Sequence, residues 1–428
     1  MKRNTAPARG MRDLLPAQVE VRDHCAAVIQ RAYARFGYQR VETPALEHIG
    51  LLTGSGGGDN EKLIYKVLKR GDKLDLAKAQ GADDLVDFGL RYDLTVPLGR
   101  FYAEHAAELP QPFRAVQIGP VWRAERPQRG RYRQFTQCDI DILGEASELA
   151  EVELIQATVT ALSALGLTGF TVRLNDRRLL AAMVSSCGFD AAALPAVFIT
   201  VDKLDKVGLD GVVKELTESG HPAEAVAALG RTLEAVLAPG ALADSPLPES
   251  VPLDDEGVAV RERLRTIRRL AAAGLPEGAT LGFDPTLVRG MGYYTGTLFE
   301  VGMEGYPFSI AGGGRYDGMI GGLTGKDVPA CGFSIGFERV VLILEEQGLT
   351  TTDRPKRLAV LHADAVPADE VVAAATALRA EGHAVATLKA RKKVGKQLDE
   401  LQAQGFDGFA VLEAGAPGAP EVREFRAS

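Results

Sequence analysis

Residues 113–144, FRAVQIGPVWRAERPQRGRYRQFTQCDIDILG, constrain the fold of this chain more than any other stretch. Side-chain character alternates along it with period two, the signature of strands whose successive residues face opposite sides of a sheet. Val116, Ile118 and Trp122 are the apolar set of the first run, with Gln117, Arg123 and Glu125 in the alternate positions. In the second run Thr136, Cys138, Ile140 and Ile142 share one face, and Arg131, Arg133, Phe135, Gln137, Asp139 and Asp141 share the other. Two antiparallel strands joined by an arginine-rich loop account for both runs. The charged face has two readings. It is either the solvated side of an amphipathic hairpin or a site for a charged ligand, with an aromatic ring on which part of that ligand stacks.

A hairpin needs a larger sheet to join, and 428 residues suffice for two or three domains around a sizeable core. The formal charge of −8 gives no global basic field of the kind that announces DNA, so a nucleic-acid partner needs local patches. Cys25, Cys138, Cys187 and Cys331 form no CxxC pair, and the histidines show no ligand spacing. Reduced thiols and no resident metal are expected. No apolar run approaches the ~20 residues that span a bilayer, and the start lacks a signal-peptide core. These features predict a cytoplasmic protein with no membrane partner.

In chain order, the spacing of apolar residues predicts a helix over 17–36, then a strand stopped by Pro44. Residues 53–60 are a glycine-rich loop in which Asp59 spoils the GxGxxG pattern. Residues 61–76 read as a hairpin turning at Arg70, Gly71 and Asp72. Residues 89–102 read as a strand entering a helix at Pro97, with Arg91, Asp93 and Thr95 on one strand face, suited to an ammonium group or to plain capping. A helix over 147–165 and a strand over 170–176 follow, and then helical, Ala/Leu/Glu-rich sequence as far as about 275. Residues 283–302 are a strand pattern broken by Gly290, Gly292 and Gly296; residues 311–322 read as a glycine-rich turn presenting Arg315. Residues 329–348 read as a helix in which Arg339 interrupts an apolar face, costly unless it meets an anion.

Residues 332–336 fit the GxSxG of serine hydrolases, but Pro329 and Ala330 stand where the elbow needs a strand. Beyond a polar linker at 351–355, strand and helix alternate to the end, predicting a small α/β domain. Basic and acidic residues balance there at ten each, yet five of the ten basic ones fall within 389–396. That cluster is either a solvated loop or an RNA-backbone contact.

Several stretches resemble the class II aminoacyl-tRNA synthetases, and among them the histidyl-tRNA synthetase family, over essentially the whole length. The first helix with its strand and Pro44 is similar to motif 1, VWRAE with RYRQF to motif 2, and GFSIGFERV to motif 3. LVRGMGYYTGTLFE and AGGGRYDG resemble the two histidyl signatures, with QCDIDILG and RYDLTVP in support. The resemblance implies an α/β fold with an α+β catalytic domain: an antiparallel sheet flanked by helices, a helical insertion, and a C-terminal α/β anticodon-binding domain. The implied boundaries are 1–176 and 278–350 for the catalytic domain, 177–277 for the insertion and 355–428 for the last domain.

It further implies ATP, with Mg2+, held by Arg123, Glu125, Arg131, Phe135 and Arg339. Histidine is held by Asp93, Leu94, Thr95, Arg123, Gln137, Asp141, Arg289, Tyr293 and Tyr294, with Arg289 and Arg123 as catalytic cations. Gln128 and Arg129 are the implied contacts to the acceptor end of tRNA(His), and Arg391, Lys392 and Lys393 the contacts to its anticodon side; a homodimer is expected. Gly292 stands where the family often has Asp. The rival reading is a non-catalytic paralogue such as the regulatory subunit of ATP phosphoribosyltransferase, which typically lacks the last domain and degrades the signature containing Arg289.

Overall fold

The computed structural model describes residues 4–54, 62–238, 240–288, 293–349, 354–413 and 420–425, with the backbone alone for Asp205. The chain divides into two units, Met1–Asp13 with Cys25–Thr350, and Leu14–His24 with Thr351–Ser428.

The first unit is built on an eight-stranded sheet. In spatial order its strands are β1 (Gln39–Arg40), β5 (Phe113–Trp122), β6 (Gln134–Leu143), β11 (Ala330–Ile335), β10 (Ala311–Arg315), β9 (Thr297–Met303), β7 (Phe170–Asp176) and β8 (Ala279–Phe283). The five junctions from β5 to β7 are antiparallel, and only the edge strands β1 and β8 pair parallel. The expected hairpin is present, β5 pairing with β6 from Phe113↔Leu143 to Trp122↔Gln134. Its register follows from burial. Cys138, Ile140 and Ile142 are fully buried, and helices Leu149–Ala164 and Phe337–Glu346 pack against β6. A slip of one residue would exchange these for Asp139 and Asp141, forfeiting roughly 1.5–3 kcal/mol per large apolar side chain before any charge is counted.

A second sheet of three strands, β2 (Leu46–His48), β4 (Val86–Leu90) and β3 (Lys66–Leu68), belongs to the same unit. It corrects two expectations. Residues 61–76 do not close on themselves at Arg70–Asp72: a short 3-10 turn lies at Gly71–Lys73, and β3 pairs with β4 instead. The strand expected at 89–102 ends at Leu90, so Arg91, Asp93 and Thr95 share no strand face. Arg91 turns away, donating to the carbonyls of Thr43 (2.6 Å) and Pro120 (3.0 Å). Helix Thr95–His105 follows, with Pro97 in its first turn as the sequence required.

Two further corrections concern glycine. AGGGR is not a turn but the inner strand β10, followed by helix Asp317–Thr324; Arg315 is buried and donates to Glu151 at 2.7 and 2.8 Å. The glycines there answer to space. A Cβ on Gly313 would lie 2.0 Å from the Gly332 carbonyl oxygen, and one on Gly332 would lie 2.0 Å from Asp141 Oδ1. Likewise the helix expected over 329–348 begins only at Phe337, because β11 occupies Ala330–Ile335. A strand therefore does precede Ser334. The hydrolase reading still fails, since Ser334 lies within the strand and not at a strand-to-helix turn, and accepts a hydrogen bond from Gln137 Nε2 at 3.3 Å.

Between β7 and β8 the described residues form helices at Arg177–Ser186, Leu194–Val201, Leu204–Glu218 (broken at Gly208), Ala223–Leu237 and Asp255–Ala272. The second unit holds a four-stranded sheet in the order β13 (Ala384–Lys389), β12 (Arg357–His362), β14 (Gly408–Leu412), β15 (Val422–Glu424). The first three are parallel and β15 is antiparallel. Among the described residues no helix is long and apolar enough to cross a membrane.

Candidate active site

The polar face of β6, expected to be either solvated or a site, is the floor of a cleft of about 500 Å³. Gln137, Asp139 and Asp141 rise from β6, Gly312 and Gly313 from β10, and Gly332 and Ser334 from β11. Glycine on the two neighbouring strands is what opens the floor, since side chains there would fill it.

The cleft gathers carboxylates. Asp139 and Asp141 are buried, as is Asp93 behind Tyr293, whose hydroxyl reaches Asp93 Oδ2 at 3.5 Å. Burial pushes the Asp93 carboxyl up to about 6 and Asp141 up to about 7. Asp139 rises well above the ordinary range through burial and then through the charge of Asp141. Tyr316 donates to Asp141 Oδ1 at 2.6 Å, and an amide hydrogen of Gln137 points to Asp139 Oδ2 at 3.5 Å. That leaves Gln137 Oε1, Asp139 Oδ1 and Asp141 Oδ2 buried with no donor among the described residues. Buried acceptors normally find partners. Three unsatisfied acceptors on one floor call for a ligand rich in N–H groups and positively charged.

The same cleft gathers arginines. Arg123 is held by donation from its Nε to the Tyr92 carbonyl at 2.9 Å, with its guanidinium carbon 5.2 Å from the centre of the Phe135 ring. Glu125 pairs with Arg131 at 3.5 Å. Arg339 donates to the Ser309 carbonyl at 2.6 Å and lies 5.1 Å from the Phe308 ring centre. Arginines and a flat ring lining one cleft suit phosphates joined to an aromatic base.

Of the residues singled out from sequence, Thr95, Arg123, Glu125, Arg131, Phe135, Gln137, Asp141, Tyr293, Tyr294 and Arg339 all line this cleft. Leu94 does not: it is buried and its carbonyl accepts from Gln117 Nε2 at 2.9 Å. Asp93 reaches the cleft through Tyr293. Gln128 and Arg129 are exposed at the tip of the loop, where Gln128 and Arg131 bond each other's backbones and Arg129 pairs with Glu346. Arg391, Lys392 and Lys393 are exposed in the second unit. Arg289 and Gly292 lie outside the described residues, although Val288 lines the cleft. Sequence reasoning gave no role to Asp139, Ser309 or Tyr316, which also line it. Asp139 carried a signal, sharing the period-two face of Gln137 and Asp141; Tyr316 was hidden by the mistaken turn.

Comparison with solved structures places the arrangement. A histidyl-tRNA synthetase from a Nostoc species superposes with TM-score 0.79 at 26% identity, covering 96% of this chain and 92% of that one. A Bacillus halodurans chain described as an ATP phosphoribosyltransferase regulatory subunit/histidyl-tRNA synthetase superposes with TM-score 0.78 over 96% and 99%, and at 19% identity it speaks to the fold alone. The sheet and its cleft are those of a class II aminoacyl-tRNA synthetase. Sequence narrows the class: the family model described as Histidyl-tRNA synthetase matches residues 10–340. The histidine–tRNA ligase of Leifsonia xyli subsp. xyli is 49% identical over 420 residues, 96% of each chain. This chain belongs to the histidyl-tRNA synthetase family.

Proposed function

We propose that this protein is a histidine–tRNA ligase, activating L-histidine with ATP and transferring it to the 3′ end of tRNA(His). The observation that carries the reading is the trio of orphaned acceptors, Gln137 Oε1, Asp139 Oδ1 and Asp141 Oδ2, set in the same cleft as Arg123 and Arg339. Histidine brings donors at both ends. Its ammonium group suits Asp93, Thr95 and Gln137; its imidazole N–H suits Asp141, with Tyr293 and Tyr294 as walls. Phe135 then stacks on adenine, Glu125 accepts from the adenine amino group, Arg123 and Arg131 meet the phosphates near the reacting phosphorus, and Arg339 meets the far end of the triphosphate.

In the first step a histidine carboxylate oxygen bonds to the α-phosphorus while the bond to pyrophosphate breaks. The nucleophile is already ionised, so no base is required, and fixed cations supply the stabilisation as charge builds on the phosphoryl oxygens. Arg289 is assigned to that charge by its place in the histidyl signature. In the second step a ribose hydroxyl of tRNA attacks the acyl carbon and AMP leaves. Mg2+, arriving with the nucleotide, would neutralise charge on the pyrophosphate.

Gln128 and Arg129 remain the assigned acceptor-end contacts. The exposed pairing of Arg129 with Glu346 is weak enough to be exchanged for a phosphate, surface pairs being worth about 0–1 kcal/mol. The second unit would hold the anticodon through Arg391, Lys392 and Lys393. A cytoplasmic homodimer completes the reading.

The test is histidine-dependent ATP–pyrophosphate exchange. The wild-type protein is expected to catalyse it, and Arg289→Ala to lower its rate by about 10²–10³, as removal of a transition-state donor does, with tRNA affinity retained. A folded wild-type protein with no such exchange would identify the regulatory paralogue instead.

A further inference from the structure

The segment at the N-terminus enters none of the assignments above, yet it grips the nucleotide half of the cleft from outside. The Arg133 backbone N–H donates to the Gly10 carbonyl at 2.8 Å, and Arg133 Nη1 to the Arg9 carbonyl at 3.3 Å. The approach is so close that a Cβ on Gly10, whose φ is +82°, would stand 2.7 Å from Pro127 Cγ and 2.8 Å from Arg133 Cδ.

Two residues on, the Arg12 guanidinium lies 4.0 Å over the Tyr132 ring centre. Its Nη1 donates to the Tyr132 hydroxyl at 3.2 Å and its Nη2 to Glu338 Oε2 at 2.5 Å. Glu338 is buried, and its other oxygen accepts the Thr136 backbone N–H at 3.1 Å. Tyr132, Thr136 and Glu338 all line the cleft. They flank the two groups that matter for a nucleotide: Phe135 stands beside Thr136, and Arg339 follows Glu338.

We propose that Arg12 is a positioning residue for ATP, fixing the stacking ring on β6 and the arginine of helix Phe337–Glu346 relative to each other. The inference rests on the assignment of Phe135 and Arg339 to the nucleotide. A planar guanidinium is needed because it stacks on one partner while its two ends reach different ones. The charge is needed because Glu338 faces a cleft meant for a polyanion. With Arg12 replaced by a neutral side chain, that carboxylate loses the charge of Arg12 and repels the phosphates more strongly.

The experiment is pyrophosphate exchange with the KM for ATP and for histidine measured separately. Arg12→Met is expected to raise the ATP KM about tenfold, the scale of one charge-assisted hydrogen bond, with the histidine KM unchanged. Adding Glu338→Gln removes the negative charge and is expected to bring the ATP KM back to within about threefold of wild type, the coupling expected of residues in contact. If Arg12→Met does not fold, Arg12→Lys decides, since it keeps the charge and loses the fork: a raised ATP KM alone supports the proposal. ATP and histidine KM rising together, kcat falling with both KM values intact, or a double variant no better than the single would each overturn it. Wild-type protein without exchange would instead remove the functional reading on which the inference stands.

Discussion

At Asp141 two opposed effects meet. Burial drives its carboxyl up, to about 7, while the Tyr316 hydroxyl on Oδ1 pulls it down. Below that pH the empty site holds a protonated carboxyl, a poor acceptor for an imidazole N–H. Ionisation on going through about 7 supplies the anion, so the histidine KM should fall as pH rises across that value. Tyr316→Phe removes the hydrogen bond that favours the ionised form, so the midpoint of the KM profile should move to higher pH. Titration of free histidine, whose imidazole pKa is ~6.5, is untouched by the substitution, which separates the two causes. A midpoint that stays in place in Tyr316→Phe would show that Asp141 does not set it.

At the scale of elements, the cleft depends on β10 and β11 keeping glycine where a side chain would normally sit. Gly332→Ala places a methyl 2.0 Å from Asp141 Oδ1. Either the carboxylate or the strand must move, so a loss of about 1–3 kcal/mol in urea unfolding is expected, the usual range for overpacking, together with a raised histidine KM. Destabilisation with an unchanged KM would mean that Asp141 is not held by this packing. The same element shows where sequence legibility ended. The β5–β6 hairpin and its polar face were readable because alternation reports directly on strand faces. AGGGR was not, because a glycine run most often marks freedom of φ, and here the demand was room between strands distant in sequence. The false hairpin at 61–76 failed similarly: β3 finds its partner in β4, beyond a 3-10 turn that local propensity resembles closely. Partners brought by long-range pairing, such as Tyr316 for Asp141, left no local trace.

For the whole molecule, the anticodon role proposed for the second unit rests on the basic cluster at 389–396. The five basic residues in 389–396 looked alike in the sequence, but the structure sorts them. Lys389 pairs with Asp364 at 2.5 Å, Arg391 with Glu400 at 2.6 Å, and Lys396 with Glu400 at 4.0 Å. Lys392 and Lys393 are exposed and without an ion pair among the described residues, so they are the cations with least to give up on meeting a phosphate. Reversing both, as Lys392→Glu with Lys393→Glu, should weaken tRNA binding and flatten its dependence on salt by about one unit of log–log slope for each phosphate no longer neutralised. Pyrophosphate exchange, which needs no tRNA, should proceed at the wild-type rate. Aminoacylation at saturating tRNA should recover, because the substitution acts on encounter and not on the adenylate. Loss of exchange along with tRNA binding would mean that the second unit supports the fold of the cleft itself; unchanged tRNA affinity would leave the 389–396 cluster as a solvated loop.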